Sequence, residues 1–415
     1  MITREEIFDF VKMKCANYKS EKLLPLMMPT FGPDEIMSAF DSMVDLNVTM
    51  GSKVSEFEQK FSSYLGIKHS TMLNSGSSAN LLALSILSNP MVSNRIMFGD
   101  EIIVPSVTWS TSIFPIINVG ARPVLADVDE DYVLDVEKLK ELITPKTKAI
   151  MPVHLLGNVC DMKAINDIAS DHKLFVVEDC CEALGSEYKS KKVGTYSDFS
   201  TFSFYFSHHI TTIEGGMLCT NNFEYADLSR ILRAHGYVRH SLKKEEFISQ
   251  TPSIDPRFLF VNMGYNFRPM EIQGAFGIHQ LPKLKTFLAR RTEIANQLLV
   301  QLSKYSDLLI LPKQKSGTRH SWFAFPITVK PNQKFTRSDL TNYLEDHGIE
   351  TRPLVCGNFA EQPAMRLFNY RHGDLSYANL IMKSSFYIGI HSNIDDNTIS
   401  AVVKVFDDFF SKVKT

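Results

Sequence analysis

The sequence predicts an α/β protein: a mostly parallel sheet with helices on both faces, followed by a smaller C-terminal α+β section. Three observations predict it. Short, nearly continuous apolar segments recur at 101–105, 122–129, 148–154 and 173–179, as strands buried on both faces do. The stretches between them read as helices, so strand and helix alternate. A Lys/Ser/Gly-rich break at 313–319 then sets off a section with its own strands and helices. The 415 residues, 44% of them hydrophobic, suffice for one large domain and a smaller one.

Taken in order, residues 1–30 read as an amphipathic helix and an extended lead, an N-terminal arm. Residues 33–47 (Ile36, Phe40, Met43, Val44) and 53–65 (Val54, Phe57, Phe61, Leu65) carry apolar side chains at helical spacing. At 70–88 a short strand feeds a Ser/Gly/Asn turn that opens a helix. Exposed amides there, with Gly76 allowing close approach, make an anion site. An ordinary helix cap explains the same Ser and Asn residues. The strand at 101–105 is followed by a helix opening at 108–111. The segment 200–220 begins as a buried strand, turns through Ser207-His208-His209, and ends in Glu214-Gly215-Gly216 before another strand. A helix follows, then a polar stretch at 235–256. The stretch 264–277 opens a long helix running to about Gln301. The closing section reads as a strand at 321–329, a helix at 336–347, a strand at 351–355 and a helix at 398–412. The domain boundary falls within the long helix near 290, giving an arm (1–30), a large domain (31–290) and a small one (291–415).

Composition excludes several function classes. Net charge is −2, with signs interspersed, so there is no basic face for nucleic acid. The six cysteines show no CxxC pairing, which argues against a zinc or disulfide framework. Neither a signal peptide nor a membrane-spanning run is present, and a cytoplasmic enzyme is expected. His208, His209, His235 and His240 make no metal site, since adjacent histidines do not readily chelate one ion and no carboxylate spacing completes the set.

In open α/β sheets ligands bind at the carboxyl ends of strands. That places Trp109, Asp179, Cys180, Cys181, Glu182 and the 203–216 loop around one mouth. Asp179 reads either as a strand-end cap or as a carboxylate facing a pyridine nitrogen. Trp109 reads as core or as a stacking platform. His208 reads as a relic, a structural histidine or a general base, its ordinary pKa suiting proton transfer near neutrality.

The motifs at 74–80 (AsnSerGlySerSerAlaAsn), 105–109 (ProSerValThrTrp), 178–185 (GluAspCysCysGluAlaLeuGly), 203–209 (SerPheTyrPheSerHisHis), 214–216 (GluGlyGly) and 264–268 (GlyTyrAsnPheArg) resemble those of the DegT/DnrJ-type sugar aminotransferases, which use pyridoxal phosphate (PLP). The resemblance runs from about residue 25 to the end. It implies a type I, aspartate aminotransferase-like fold with a seven-stranded large-domain sheet. It also implies phosphate ligands at Gly76, Ser77, Ser78 and Ser203, ring stacking by Trp109 and a pyridinium partner in Asp179. Asn266 matches a position that reaches the phosphate of the other subunit, which implies a homodimer with shared active sites. Glu182 is a further cofactor residue, at a position where most relatives carry Gln or His.

The family lysine is replaced by His208, and no lysine occurs between Lys192 and Lys243, so this loop offers no amine for a covalent link to the cofactor. With the segment at 351–359 (ThrArgProLeuValCysGlyAsnPhe), this resembles the nucleotide-4-keto-6-deoxyhexose 3-dehydratases, which hold pyridoxamine phosphate (PMP) without a lysine. Residues 220–355 contain no cysteine, so no iron–sulfur cluster is expected, and the colitose-type member is favoured over the ascarylose-type. The implied reaction takes an amino group from glutamate. It then removes the 3-hydroxyl of a nucleotide-4-keto-6-deoxyhexose to give a 4-keto-3,6-dideoxy sugar of lipopolysaccharide O-antigen, with His208 as the base. A C4 aminotransferase using another lysine and a non-catalytic regulator with the same fold are the alternatives. No nucleic-acid or membrane partner is expected.

Overall fold

In the computed structural model, which describes residues 3–414, the predicted strands line up in one sheet. Its order is His69–Leu73, Gly216–Thr220, Phe199–Ser203, Phe175–Asp179, Thr147–Ile150, Glu101–Pro105, Arg122–Ala126 and Arg371–His372. Gly216–Thr220 runs antiparallel to both neighbours; the other pairings are parallel. The large domain supplies the seven strands expected, and the sheet gains an eighth. The eighth comes from the C-terminal section, where Arg371 and His372 pair with Val124 and Leu125. Arg371 is held by two hydrogen bonds to the Glu101 carboxylate, at 2.8 and 2.7 Å, a forked geometry that fixes orientation as well as position. The strands at 122–129 and 148–154 end sooner than predicted, at Ala126 and Ile150; the chain beyond them has left the ladder to form the mouth.

Helices cover both faces. On one, Phe57, Phe61, Phe202 and Phe204 meet edge to face, with centroids 5.1–5.4 Å apart. All four are buried. Each is worth about 1.5–3 kcal/mol of burial, plus a contribution from ring geometry. Phe202 and Phe204 flank Ser203, so this cluster clamps the root of the histidine-bearing loop. A second core collects Leu298, Leu302, Phe325, Phe386 and Phe406 around the antiparallel strands Ala324–Val329 and Ser385–Gly389.

The predicted long helix is two helices, Glu271–Gln280 and Leu284–Leu302, joined by a 3-10 turn at Leu281–Lys283. Pro282 lacks an amide to continue the α-helical ladder. Leu284 and Leu288 pack in the first core; Ile294, Ala295, Leu298 and Leu302 pack in the second.

The helix Arg4–Ala16 opens with a Thr3/Glu6 capping box and buries none of its residues. Leu24 plugs the second core and exchanges backbone hydrogen bonds with Gly348 and Glu350. That carries Leu26 and Met27 to the mouth of the large sheet. Among the described residues no helix is long and apolar enough to cross a membrane.

Candidate active site

At the carboxyl ends of the strands lies a cavity of about 700 Å³. Its floor is the turn between strand His69–Leu73 and helix Gly76–Leu87. The Ser75 hydroxyl accepts from the Ser78 amide at 3.1 Å, so the capping reading of this turn is correct. Capping does not use up the site, because Gly76 and Ser77 still line the cavity. A Cβ on Gly76 would lie 2.6 Å from the Ser203 Cβ, and one on Gly216 would lie 2.3 Å from the Ser75 carbonyl oxygen. The two glycines let loop, helix start and returning strand converge at contact distance. Ser78 does not line the cavity; its hydroxyl accepts from Ser75 at 3.1 Å.

Asp179 ends its strand with the carboxylate aimed into the mouth. Oδ2 accepts from Asn80 Nδ2 at 2.8 Å and from the Ser112 hydroxyl at 2.7 Å, and Oδ1 accepts from the Cys181 amide at 3.1 Å. A hydroxyl has one proton to give, so Thr108 donates to Ser112 and Ser112 to Asp179. Three donors fix the orientation of the carboxylate. Sequence reasoning missed Asn80 and Ser112. Asn80 lay in the quoted 74–80 motif as a presumed capping residue, and Ser112, three residues past Trp109, carried no signal.

The two tryptophans divide the roles weighed above. Trp322 is the core residue, 1% exposed, whereas Trp109 is 58% exposed and faces the cavity. An uncovered indole on the wall of a hollow is available for stacking. Across from it stands Glu182. One of its oxygens accepts from the Leu156 amide at 2.8 Å. Burial pushes this carboxyl up to about 7, and the nearby Asp179 charge adds to the rise.

His208 sits on the loop that leaves the sheet at Ser203. The loop is closed at its neck by hydrogen bonds from the Phe204 amide to Gly215 and from the Thr212 amide to Phe204. Its ring meets Phe323 edge-on at 5.0 Å and Tyr205 at 6.0 Å. Its Nδ1 is buried without a hydrogen-bond partner. Burial, assisted by the Arg291 charge, pushes the imidazole down to about 3, so it is neutral at pH 7 and has a free lone pair. His209 points the other way, with Nε2 donating to the Ser321 carbonyl at 3.1 Å. Asn266 is exposed and lies outside the cavity of its own chain.

The donor set fits a phosphorylated pyridine. There is a tight helix start with hydroxyls at one end, a carboxylate with three donors behind it, an exposed indole at the side, and an unpartnered imidazole nitrogen. No lysine is among the described residues that line the hollow; Arg352 is the one Lys or Arg there.

Comparison with known proteins agrees with this chemistry. Residues 32–407 match the model of the DegT/DnrJ/EryC1/StrS aminotransferase family. A GDP-4-keto-6-deoxy-D-mannose 3-dehydratase of Yersinia pseudotuberculosis is 39% identical over 376 residues, covering 88% of this chain and 94% of its own. A solved structure of a GDP-4-keto-6-deoxymannose-3-dehydratase, a histidine-to-asparagine mutant with bound GDP-perosamine, superposes with a TM-score of 0.87. It is 34% identical and covers 92% of this chain and 99% of the other. Another, with a trapped PLP-glutamate geminal diamine, gives a TM-score of 0.86 at 33% identity, over 92% and 99% of the two chains.

Proposed function

The chain belongs to the DegT/DnrJ/EryC1/StrS aminotransferase family, and from that premise we propose that it is a PLP/PMP-dependent 3-dehydratase of a nucleotide-linked 4-keto-6-deoxyhexose, with glutamate as amino donor. The observation that carries this reading is His208, a neutral imidazole on the cavity wall where the family pattern has its lysine, in a hollow that no lysine lines among the described residues. A lysine-free site does not favour the C4 aminotransferase. A non-catalytic regulator has no need of the intact Asp179 network and the uncovered Trp109.

Bound there, the cofactor's ring supplies an electron sink. The amides of Gly76 and Ser77 and the Ser203 hydroxyl hold its phosphate, where the positive end of helix Gly76–Leu87 favours an anion. Ser78 shapes that helix start through its bonds to Ser75. Trp109 would stack on the cofactor's ring, and Asp179 would pair with the ring nitrogen and favour its protonated form. Glu182, close to neutrality in its titration, serves as a hydrogen-bond partner for a polar ring substituent. His208 would take up the proton whose removal drives the elimination and return it to the departing 3-hydroxyl, which leaves as water. Water closure is helped by Leu26 and Met27 of the arm, which line the mouth. Arg352 is placed for an anionic group of the substrate.

The unit is a homodimer in which Asn266 reaches the partner's phosphate. Its exposure beside the exposed side chains of Met263 and Met270 supports this. No iron–sulfur cluster takes part, and a cytoplasmic setting suits an enzyme fed by nucleotide sugars and glutamate.

The test is incubation with PLP, glutamate and a panel of nucleotide-4-keto-6-deoxyhexoses, GDP-linked first. Ammonia release and a product lacking the 3-hydroxyl are expected, and borohydride should label no lysine peptide. A product that keeps nitrogen at carbon 4 overturns the reading.

A further inference from the structure

Two arginines in this chain are 3% exposed, Arg233 and Arg291. Arg233 pairs with the Glu58 carboxylate at 2.6 Å. Arg291 has no carboxylate partner among the described residues. Its Nη1 donates to the backbone carbonyls of Trp322 at 2.9 Å, Phe323 at 3.0 Å and Ile390, and its Nε is buried without an acceptor. A buried charge without a counter-ion is costly, and an apolar side chain of similar volume usually serves packing as well or better. Packing alone therefore does not account for a cation here.

The three carbonyls belong to the segment entering strand Ala324–Val329 and to the residue leaving strand Ser385–Gly389. Arg291 thus stitches the middle of helix Leu284–Leu302 to residues 322, 323 and 390. Phe323 is the ring that meets His208 edge-on. The same short segment is gripped a second time, by His209 at the Ser321 carbonyl. The charged surroundings of His208 are otherwise sparse. Its own loop brings Tyr205 and His209, and His320 stands behind His209. Across the cavity stand Asp179, Cys181, Glu182 and Glu214, with Arg352 and Tyr387 at the rim. No carboxylate pairs with the imidazole among the described residues.

We propose that Arg291 is the positioning residue of this site: by its carbonyl bonds it sets Phe323 against His208, and by its unpaired charge it disfavours a second positive charge on the imidazole. The base then releases its proton readily after each transfer. The downward shift of His208, caused first by burial and then by Arg291, and the parallel shifts of His209 and His391 with Arg291 among their causes, agree with this. The proposal rests on the reading of His208 as the base, and the two can fail separately.

The test is a histidine-selective NMR titration of the full-length protein, with and without PLP, with the His208 resonance assigned by its loss in His208→Asn. The wild-type imidazole should not titrate above about pH 5. In Arg291→Met its midpoint should rise by about one unit or more, and the acid limb of turnover should move with it. Arg291→Lys, which keeps the charge and loses the Nη1 bonds to the three carbonyls, should leave midpoint and limb in place while lowering kcat. A wild-type midpoint at the ordinary histidine value overturns the proposal without any variant. So does a folded Arg291→Met protein whose midpoint is unmoved. If the midpoint moves and the limb does not, Arg291 tunes the imidazole as proposed and His208 is not the base.

Discussion

His154 and His208 lie near the same strand ends, and their surroundings are opposite. His154 is fully buried. Its Nδ1 accepts from the Cys160 amide at 3.2 Å, which leaves its proton on Nε2, given to Glu178 at 3.1 Å. Glu178 also accepts from the Gly194 and Tyr196 amides and the Ser197 hydroxyl, at 2.7, 2.9 and 2.7 Å. Every polar atom of that pair is occupied, so no site is free for a substrate or, despite the nearness of Cys180, for a metal. His208 has a buried nitrogen with no partner and a guanidinium where His154 has a carboxylate. Residue type and burial do not separate a structural histidine from a chemical one. His209 and His391 also have buried unpartnered nitrogens near Arg291, but of the three only His208 lines the cavity, so it is position on the cavity wall together with the unfilled nitrogen that marks it.

The sharpest break between the two follows from substitution. His208→Asn should lower dehydration by about 10²–10⁴-fold, the usual worth of a positioned base. PLP absorbance should be retained, and the denaturation midpoint should change by less than about 1 kcal/mol. Steady-state ammonia release and urea melts read the two halves. Full activity in this variant removes His208 from the reaction.

Glu178→Ala should do the reverse. It strands the His154 N–H and two buried amides, which costs about 3–5 kcal/mol of stability. Urea denaturation checks it, and a loss below about 1 kcal/mol shows that the pair is not a buried girder.

Much of this contrast was legible in the sequence and some was not. The strand–turn–helix around Gly76, the strand ending at Asp179 and the Ser203–Gly216 loop each carry a local pattern: apolar runs, a Ser/Gly turn, a histidine at a recognised position. They folded where expected. Arg371–His372, Asn80, Ser112 and Arg291 act mainly through partners roughly 30 to 270 positions away, and two residues of strand have no period to detect. The break at Pro282 was visible as a proline, but apolar spacing on both sides disguised it as one helix.

The histidines also predict a pH dependence. Burial pushes His208, His209 and His391 below the ordinary value. For His208, between about 3 and about 6.5 the unfolded chain binds a proton that the folded one refuses. Stability is therefore full above about pH 6.5 and falls as pH drops through that window, by at most about 1.4 kcal/mol per unit for each such group. Urea midpoints at pH 7, 6 and 5 should decline, and His208→Asn should flatten the decline. An unchanged slope in that variant means the imidazole is protonated in the folded protein.

The smallest effect concerns the carboxylate between the two histidines. Asp179 is tied to the His154 side by its backbone, its carbonyl accepting from the His154 amide at 3.0 Å. It is tied to the cavity side by Asn80 and Ser112. Ser112→Ala removes one of its three donors and leaves Thr108 without its acceptor, while the Glu178 girder below is untouched. Loss of a hydrogen bond to a charged group costs about 1.5 kcal/mol at the low end, which is about tenfold in affinity. PLP affinity by absorbance titration should weaken by about that factor, with the melting behaviour unchanged. An unaltered affinity would show that the backbone frame alone aims Asp179.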